Sequence, residues 1–444
     1  MGGAFLKARL KSIRILLIGF ALIILIGGTL LWLPISSHSG ISFIDAIFTA
    51  TSAACVTGLV VFDTYSQFTV FGQGVILILI QVGGLGFMMI GVLFFLFMGR
   101  RIGLRQRALL MESTGIWKVG GIVRLTRRVL IMTGIIELSG ALLLAIRFCP
   151  QMGLAQGLWH GLFHSVSAFC NAGFDLMGIL EPGSSLTHFQ GDLLVNGTVT
   201  VLIIVGGLGF FLWNDLFEKK LAFSEYQLHT KIVLTTTAIL LVLGALSFFF
   251  LEKNTAMAGL SFSERSMASF FQSVTPRTAG FNTIEMTELS EGGTLLTMLL
   301  MLVGAGSGST AGGIKVTTLA VLALSVMSYS LGHEDLNIFG RRLETEALKR
   351  ACSNTTLYIS LILLGGFVLS IQGFSLTDAM FEAISALGTV GLSRGITPEL
   401  PALSKMVIAI LMYSGRIGSL SVAMAMINPE HSPIKNPAEK IIIG

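Results

Sequence analysis

Four short stretches of this chain carry the residue types that can strip water from a cation using backbone alone. They are Val56-Thr57-Gly58, Asn171-Ala172-Gly173, Thr278-Ala279-Gly280 and Thr389-Val390-Gly391, each followed by Leu or Phe. Carbonyl oxygens on an extended, glycine-containing strand replace the hydration shell of a permeating cation. Glycine suits the last position, because a side chain there would restrict the dihedrals and crowd the axis that the carbonyls must face. Ten residues before the glycines stand Phe48, Phe163, Phe270 and Phe381, and six residues before them Ser52, Ser167, Val274 and Ser385. The glycines are 115, 107 and 111 residues apart, so the repeating unit is about a quarter of the 444-residue chain.

The elements that hold such strands can be read from the residues in front of them. Ser42-x-x-Asp45 and Ser375-x-x-Asp378 have the form of capping boxes, in which side chains satisfy the free N–H groups of a helix start. From cap to strand there is room for a helix of roughly 16 Å, about half of the ~30 Å hydrocarbon core. A helix that short cannot span. It is either an interfacial helix or a re-entrant one that enters halfway and returns as extended backbone, which is allowed only where that backbone lines a water-filled cavity, and the fourfold repetition favours re-entry. Each of the four helix C-termini then aims a partial negative charge, roughly half an electron, at the cavity, which favours cations.

Taken together, CVTGL (55–59), CNAGF (170–174), RTAGF (277–281) and GTVGL (388–392) resemble the Trk/Ktr/HKT cation transporter superfamily, and specifically its Ktr-type membrane subunit; GTVGL also resembles a potassium-channel filter. The resemblance covers about residues 15–427. It implies an all-α polytopic membrane protein with four helix–re-entrant pore loop–helix repeats around one pore. It further implies potassium uptake, Na⁺ coupling in some members, homodimers with one pore per chain, and control by a ring of cytosolic RCK-type subunits that bind ATP or ADP. Glycine at all four filter positions implies preference for K⁺ over Na⁺, since serine in the first repeat accompanies sodium transport in this superfamily.

Composition points the same way. The chain is 53% hydrophobic and only 12% charged, with mean hydropathy +0.82, which excludes an ordinary soluble domain. Eight mainly apolar runs can be drawn at about 15–35, 71–98, 129–148, 193–217, 231–251, 294–327, 355–372 and 403–427. They divide one membrane domain into repeats at about 15–98, 129–217, 231–327 and 355–427. The net charge of +5 does not indicate a nucleic-acid partner, because the charges sort by membrane side. With the N-terminus inside, 21 of the 29 Lys and Arg fall in inner segments, and Arg277 counts among six in outer ones. Both termini are therefore expected in the cytosol, with the chain in a bacterial cytoplasmic membrane and its inner basic residues touching anionic lipid. The first apolar run is too long for a secretory signal and reads as a retained span.

The sixth run is interrupted by Gly304, Ala305, Gly306, Ser307, Gly308, Ser309, Thr310, Ala311, Gly312 and Gly313. Glycine costs about 1 kcal/mol relative to alanine inside a helix, so a continuous helix is not expected here. Serine and threonine can serve the freed backbone groups, and the family resemblance implies that this loop is a gate below the filter. Lys315 and Arg416 are the two basic residues at membrane depth, where a lone charge costs roughly 2.5–3.5 kcal/mol. Arg416, between Gly415 and Gly418, is expected to contact the loop's carbonyls and repel cations until the pore opens. Glu137 is a candidate partner for a buried base.

Other chemistries find little support. Gly83-Gly84-Leu85-Gly86 and Gly206-Gly207-Leu208-Gly209 lie inside apolar runs rather than after a strand, so they read as close helix packing and not as a nucleotide fold. No cofactor and no nucleotide is expected on this chain. His160 and His164 lack the glutamate of a zinc-peptidase motif and read as a polar entrance face. The four cysteines show no metal spacing. An enzyme reading finds no acid–base cluster. The competing transport reading is an alternating-access secondary cation carrier built on broken helices.

Overall fold

The computed structural model describes residues 2–86, 122–219, 222–333, 335–426 and 439. Most of the basic 99–128 segment, the end of the second apolar run and the C-terminal tail lie outside the described residues. The chain opens with helix α1 (Gly2–Trp32), the short α2 (Phe43–Ala54), the one-turn α3 (Thr64–Gln67) and α4 (Val70–Leu85). Long helix, short helix, extended loop and second helix then recur. They are α5 (Ile122–Met152), α6 (Leu154–Cys170) and α7 (Leu193–Leu208), with α8 (Phe210–Lys219) bent 93° from α7. The third set is α9 (Leu228–Leu251), α10 (Phe262–Val274), α11 (Glu291–Leu302) and α12 (Val316–Ser330), followed by a hairpin of β1 (Asn337–Ile338) and β2 (Arg341–Arg342). The fourth is α13 (Thr345–Ile371), α14 (Leu376–Gly388), α15 (Ala402–Ile417) and α16 (Ser419–Met426).

Three of the four short helices start at a capping serine, while α6 starts at Gly153 with no side-chain cap. Ser42 Oγ accepts from the Asp45 N–H at 3.2 Å and Ser375 Oγ from the Asp378 N–H at 3.1 Å. A third cap, which sequence reading did not single out, is fully reciprocal: Ser261 Oγ accepts from Glu264 N–H, and the Glu264 carboxylate accepts from Ser261 N–H. Among the described residues, four helices are long and apolar enough to cross a membrane, Ile13–Trp32, Thr126–Met152, Leu228–Asn254 and Thr345–Ile371. On α1, Ile18, Leu22, Leu25 and Ile26 face outward while Phe20, Ile24 and Leu31 are buried, the one-sided stripe of a helix with lipid on one face and protein on the other.

The second helix of each set departs from the continuous run drawn from sequence. α4, α7 and α15 all end at a glycine in the left-handed region: Gly86 (φ 82°), Gly209 (φ 97°) and Gly418 (φ 97°). Three residues earlier in each case, Gly83, Gly206 and Gly415 lie against the carbonyls of Ala54, Phe169 and Leu387 at the ends of the short helices, where any Cβ would overlap the oxygen. The close packing read from the glycine clusters is thus present. The break after it is a correction, and the recurring G-x-x-G spacing was its signal.

One phenylalanine also departs from the repeat. Phe48, Phe163 and Phe381 are fully buried, but Phe270 is 41% exposed and Phe271 takes its place at 1%. α10 ends six residues before Gly280, whereas the other short helices end three or four residues before Gly58, Gly173 and Gly391, so the turn is two or three residues longer and the buried phenylalanine stands one position nearer the glycine. The first and last sets are joined by the ion pair of Lys405 Nζ on α15 with Asp45 Oδ1 on α2, at 2.6 Å.

Candidate functional site

Gly58, Gly173, Gly280 and Gly391 stand together in one closed ring. A Cβ built on Gly58 would lie 3.1 Å from Gly173 Cα, one on Gly173 2.9 Å from Gly280 Cα, one on Gly280 3.3 Å from Gly391 Cα, and one on Gly391 3.0 Å from Gly58 Cα. The cyclic order follows the chain order. No L side chain fits at any of the four positions without moving the neighbouring strand.

The strands reach this ring through unusual backbone. Val56 (φ 58°), Asn171 (φ 59°), Thr278 (φ 75°) and Thr389 (φ 51°) are left-handed, and so are the four glycines two positions later, while the residue between is not. Three of these left-handed residues are β-branched, for which that region is a true outlier. Such strain, roughly 1–3 kcal/mol per residue, is held in place by surrounding structure and concentrates at functional sites. Alternating handedness turns successive carbonyls toward the same side of the strand. The supports differ among copies: Ser52 Oγ accepts from Gly58 N–H at 3.0 Å and Ser385 Oγ from Gly391 N–H at 3.2 Å. In the third copy Val274 cannot do this, and Thr275 Oγ1 donates instead to the Phe281 carbonyl at 2.7 Å.

Residues 304–313 form a non-helical loop packed against the start of the strand that leads to Gly391. Its base is closed by Gly304 N–H to Ile314 O at 2.8 Å and Val316 N–H to Ala305 O at 3.2 Å. The loop leans on the end of α7 through Gly306 N–H to Gly207 O at 2.8 Å, and Gly308 O accepts from Phe210 N–H at 2.9 Å. Gly312 packs against the Thr389 side chain, and Gly313 lies close to the Gly388 carbonyl. Arg416 joins the loop to α4: one guanidinium nitrogen donates to Thr310 O, the other to Gly83 O and, at 3.0 Å, to Gly84 O. Lys315 Nζ donates to Ala311 O at 2.6 Å and Gly312 O at 3.1 Å. Three consecutive loop carbonyls are therefore held by fixed cations.

Several residues sit elsewhere than their sequence suggested. His160 and His164 are 1% and 0% exposed, so they form no entrance face. His164 Nε2 accepts from Leu176 N–H at 3.3 Å and its Nδ1 donates to His160 O at 2.7 Å, which fixes a neutral ring under the loop after Gly173. Glu137 accepts from Gln81 Nε2 at 3.1 Å and pairs with no base among the described residues. Arg277, counted with the outer segments, is only 6% exposed, one residue before Thr278 at the start of the third strand of the ring. All four cysteines are free thiols, and no cluster of metal-ligating side chains occurs among the described residues.

The sequence profile of the TrkH family, described as "Cation transport protein", matches residues 13–433. This chain belongs to the TrkH family. It is 42% identical over 434 residues to the Ktr system potassium uptake protein B of Bacillus subtilis, covering 97% of this chain and 96% of that one. It is 40% identical to the potassium/sodium uptake protein NtpJ of Enterococcus hirae, with 99% and 98% covered. The fold matches the crystal structure of the potassium transporter TrkH from Vibrio parahaemolyticus with a TM-score of 0.77 at 18% identity, over 95% of this chain and 85% of that one. Family membership and the apolar helices make this TrkH-family chain a mostly helical integral membrane protein for cation transport.

Proposed function

We propose that this chain is the potassium-translocating subunit of a Ktr-type uptake system, with ions passing through the ring of Gly58, Gly173, Gly280 and Gly391. The closed glycine ring carries the proposal, because four strands with carbonyls turned to one side supply a dehydrated cation with oxygens at no desolvation cost to a side chain. Val56, Thr57, Asn171, Ala172, Thr278, Ala279, Thr389 and Val390 supply the remaining filter backbone. The loop of residues 304–313 is the gate, and Arg416 holds it shut. Both termini lie in the cytosol of a bacterial cell, two chains pair with one pore each, and Na⁺ serves as a coupling ion, a reading supported by the name of the Enterococcus relative, a potassium/sodium uptake protein. Expression in cells that lack potassium uptake should restore growth at low external potassium; no growth from a chain present in the membrane would contradict this reading.

The filter supports make a finer prediction. Ser385→Ala leaves the half-buried Gly391 N–H without its acceptor, a loss of about 1–3 kcal/mol. K⁺ binding measured calorimetrically should weaken by about tenfold, whereas Ser167→Ala, whose hydroxyl has no partner among the described residues, should change little.

Control is proposed to come from outside the chain. A cytosolic ring of nucleotide-binding subunits would dock on the basic 99–128 segment and the C-terminal tail. Flux through the purified membrane subunit should then ignore ATP and ADP, and adding the ring should confer sensitivity. A nucleotide response in the ring's absence would refute this.

A further inference from the structure

Arg277 is a buried cation without a counter-charge. Its Nη2 donates to Thr237 Oγ1 on α9 at 3.3 Å, its Nε has no acceptor, and no ion pair of Arg277 occurs among the described residues. It sits three residues before Gly280, at the place held by Cys55, Cys170 and Gly388 in the other copies. Pointing into the groove between α7 and α9, it lines a small cavity with Thr237, Asn171, Gly207 and Ala305, the last a residue of the gate loop. The space open to a water centre is about 20 Å³, enough for one particle of water or monatomic-ion size.

An isolated buried guanidinium is expensive, several kcal/mol after relaxation. The C-terminus of α10 offsets part of this with its partial negative charge, but the Val274 carbonyl there already accepts from Arg277's own N–H. At an effective dielectric of about 20, an uncompensated charge several Å from a cation site opposes occupancy by a few kcal/mol. Nε therefore lacks an acceptor, Nη2 has only the Thr237 hydroxyl, and neither has an opposite charge beside a site proposed for cations. A water molecule would supply only the acceptor.

We propose that this cavity binds a small monatomic anion of the halide class, held by the Arg277 guanidinium and the Thr237 hydroxyl proton. With Arg277 Nη2 bonded to its oxygen, that hydroxyl is left to donate to the anion. The Asn171 amide, turned so that its nitrogen donates to the carbonyls of Ala168 and Ile203, closes the wall. The anion neutralises Arg277 and lets the third filter strand accept K⁺. The consequence for ion flux rests on the potassium reading above; the existence of the site does not.

Crystals of the whole chain grown or soaked in bromide should show an anomalous peak in contact with the Arg277 guanidinium, absent from Arg277→Gln. A cavity holding water alone, with no peak in saturating bromide, overturns the proposal. In proteoliposomes, replacing chloride on both sides by gluconate should lower K⁺ flux about tenfold, bromide should restore it, and Arg277→Gln should be indifferent to the anion. A bromide peak with flux identical in chloride and gluconate would overturn the neutralising role. Should Arg277→Gln fail to fold, the two wild-type measurements still decide. Absence of K⁺ flux under every anion would refute the potassium reading, while the bromide peak would still decide the anion site.

Discussion

Gly391→Ser and Gly58→Ser should each lower the preference for K⁺ over Na⁺ by at least tenfold, the loss of about 1.4 kcal/mol of discrimination. A Cβ on Gly391 overlaps the Thr57 carbonyl oxygen and comes within 3.0 Å of Gly58 Cα; one on Gly58 overlaps the Ala172 carbonyl oxygen. The displaced atoms are the oxygens proposed to replace water around the ion. Both glycines also have φ above 90°, which L side chains rarely adopt, so the strand must rearrange as well as shift. Selectivity should fall further than total flux, because a distorted ring fails first for the ion that needs every oxygen in place. Competition of Na⁺ with K⁺ tracer uptake measures this directly. Unchanged selectivity in both variants would remove these glycines from the filter.

Deleting the tip of the proposed gate loop, residues 307–310, should raise K⁺ flux by tenfold or more without altering selectivity. The base of the loop is closed by its own bonds, from Gly304 to Ile314 and from Val316 to Ala305, so the deletion leaves the ends of α11 and α12 in register. Arg416→Ala should act in the same direction. It removes a charge-assisted bond to Thr310 O and those to Gly83 O and Gly84 O; each such bond contributes about 1.5–3 kcal/mol, and losing one shifts a closed–open balance about tenfold or more. Arg416→Lys separates the two contributions, since it keeps the charge but cannot bond α4 and the loop at once. If it gates like the parent, repulsion dominates; if it leaks like Arg416→Ala, the cross-link does. Low flux from a folded loop-deletion protein would count against a gate here.

The spacing of the glycines made the ring legible, because a repeat of about 110 residues fixes four positions at once and chance seldom does. The break in the sixth apolar run at residues 304–313 was legible from its glycine content. What stayed hidden depended on which way a side chain turns. Arg277 looks like an outer-loop base until the short α10 swings it inward, and the histidines look polar until α5 and the loop after Gly173 cover them. The breaks at Gly86, Gly209 and Gly418 were written as G-x-x-G, but that pattern serves equally for helix packing, which it also does here. Phe270 turns outward because one step along a helix rotates the side chain by about 100°, and with the longer turn before Gly280 it is Phe271 that faces the core.

The central claim is that the carbonyls around the four glycines hold a dehydrated K⁺. Rubidium, a close mimic of K⁺ with a usable anomalous signal, tests it most directly. Crystals of the wild-type chain in rubidium should show density on the axis of the ring formed by Gly58, Gly173, Gly280 and Gly391, displaced by K⁺ and not by equal Na⁺. Saturating rubidium with no density on that axis, in a protein that still transports potassium, would place permeation elsewhere and contradict the account.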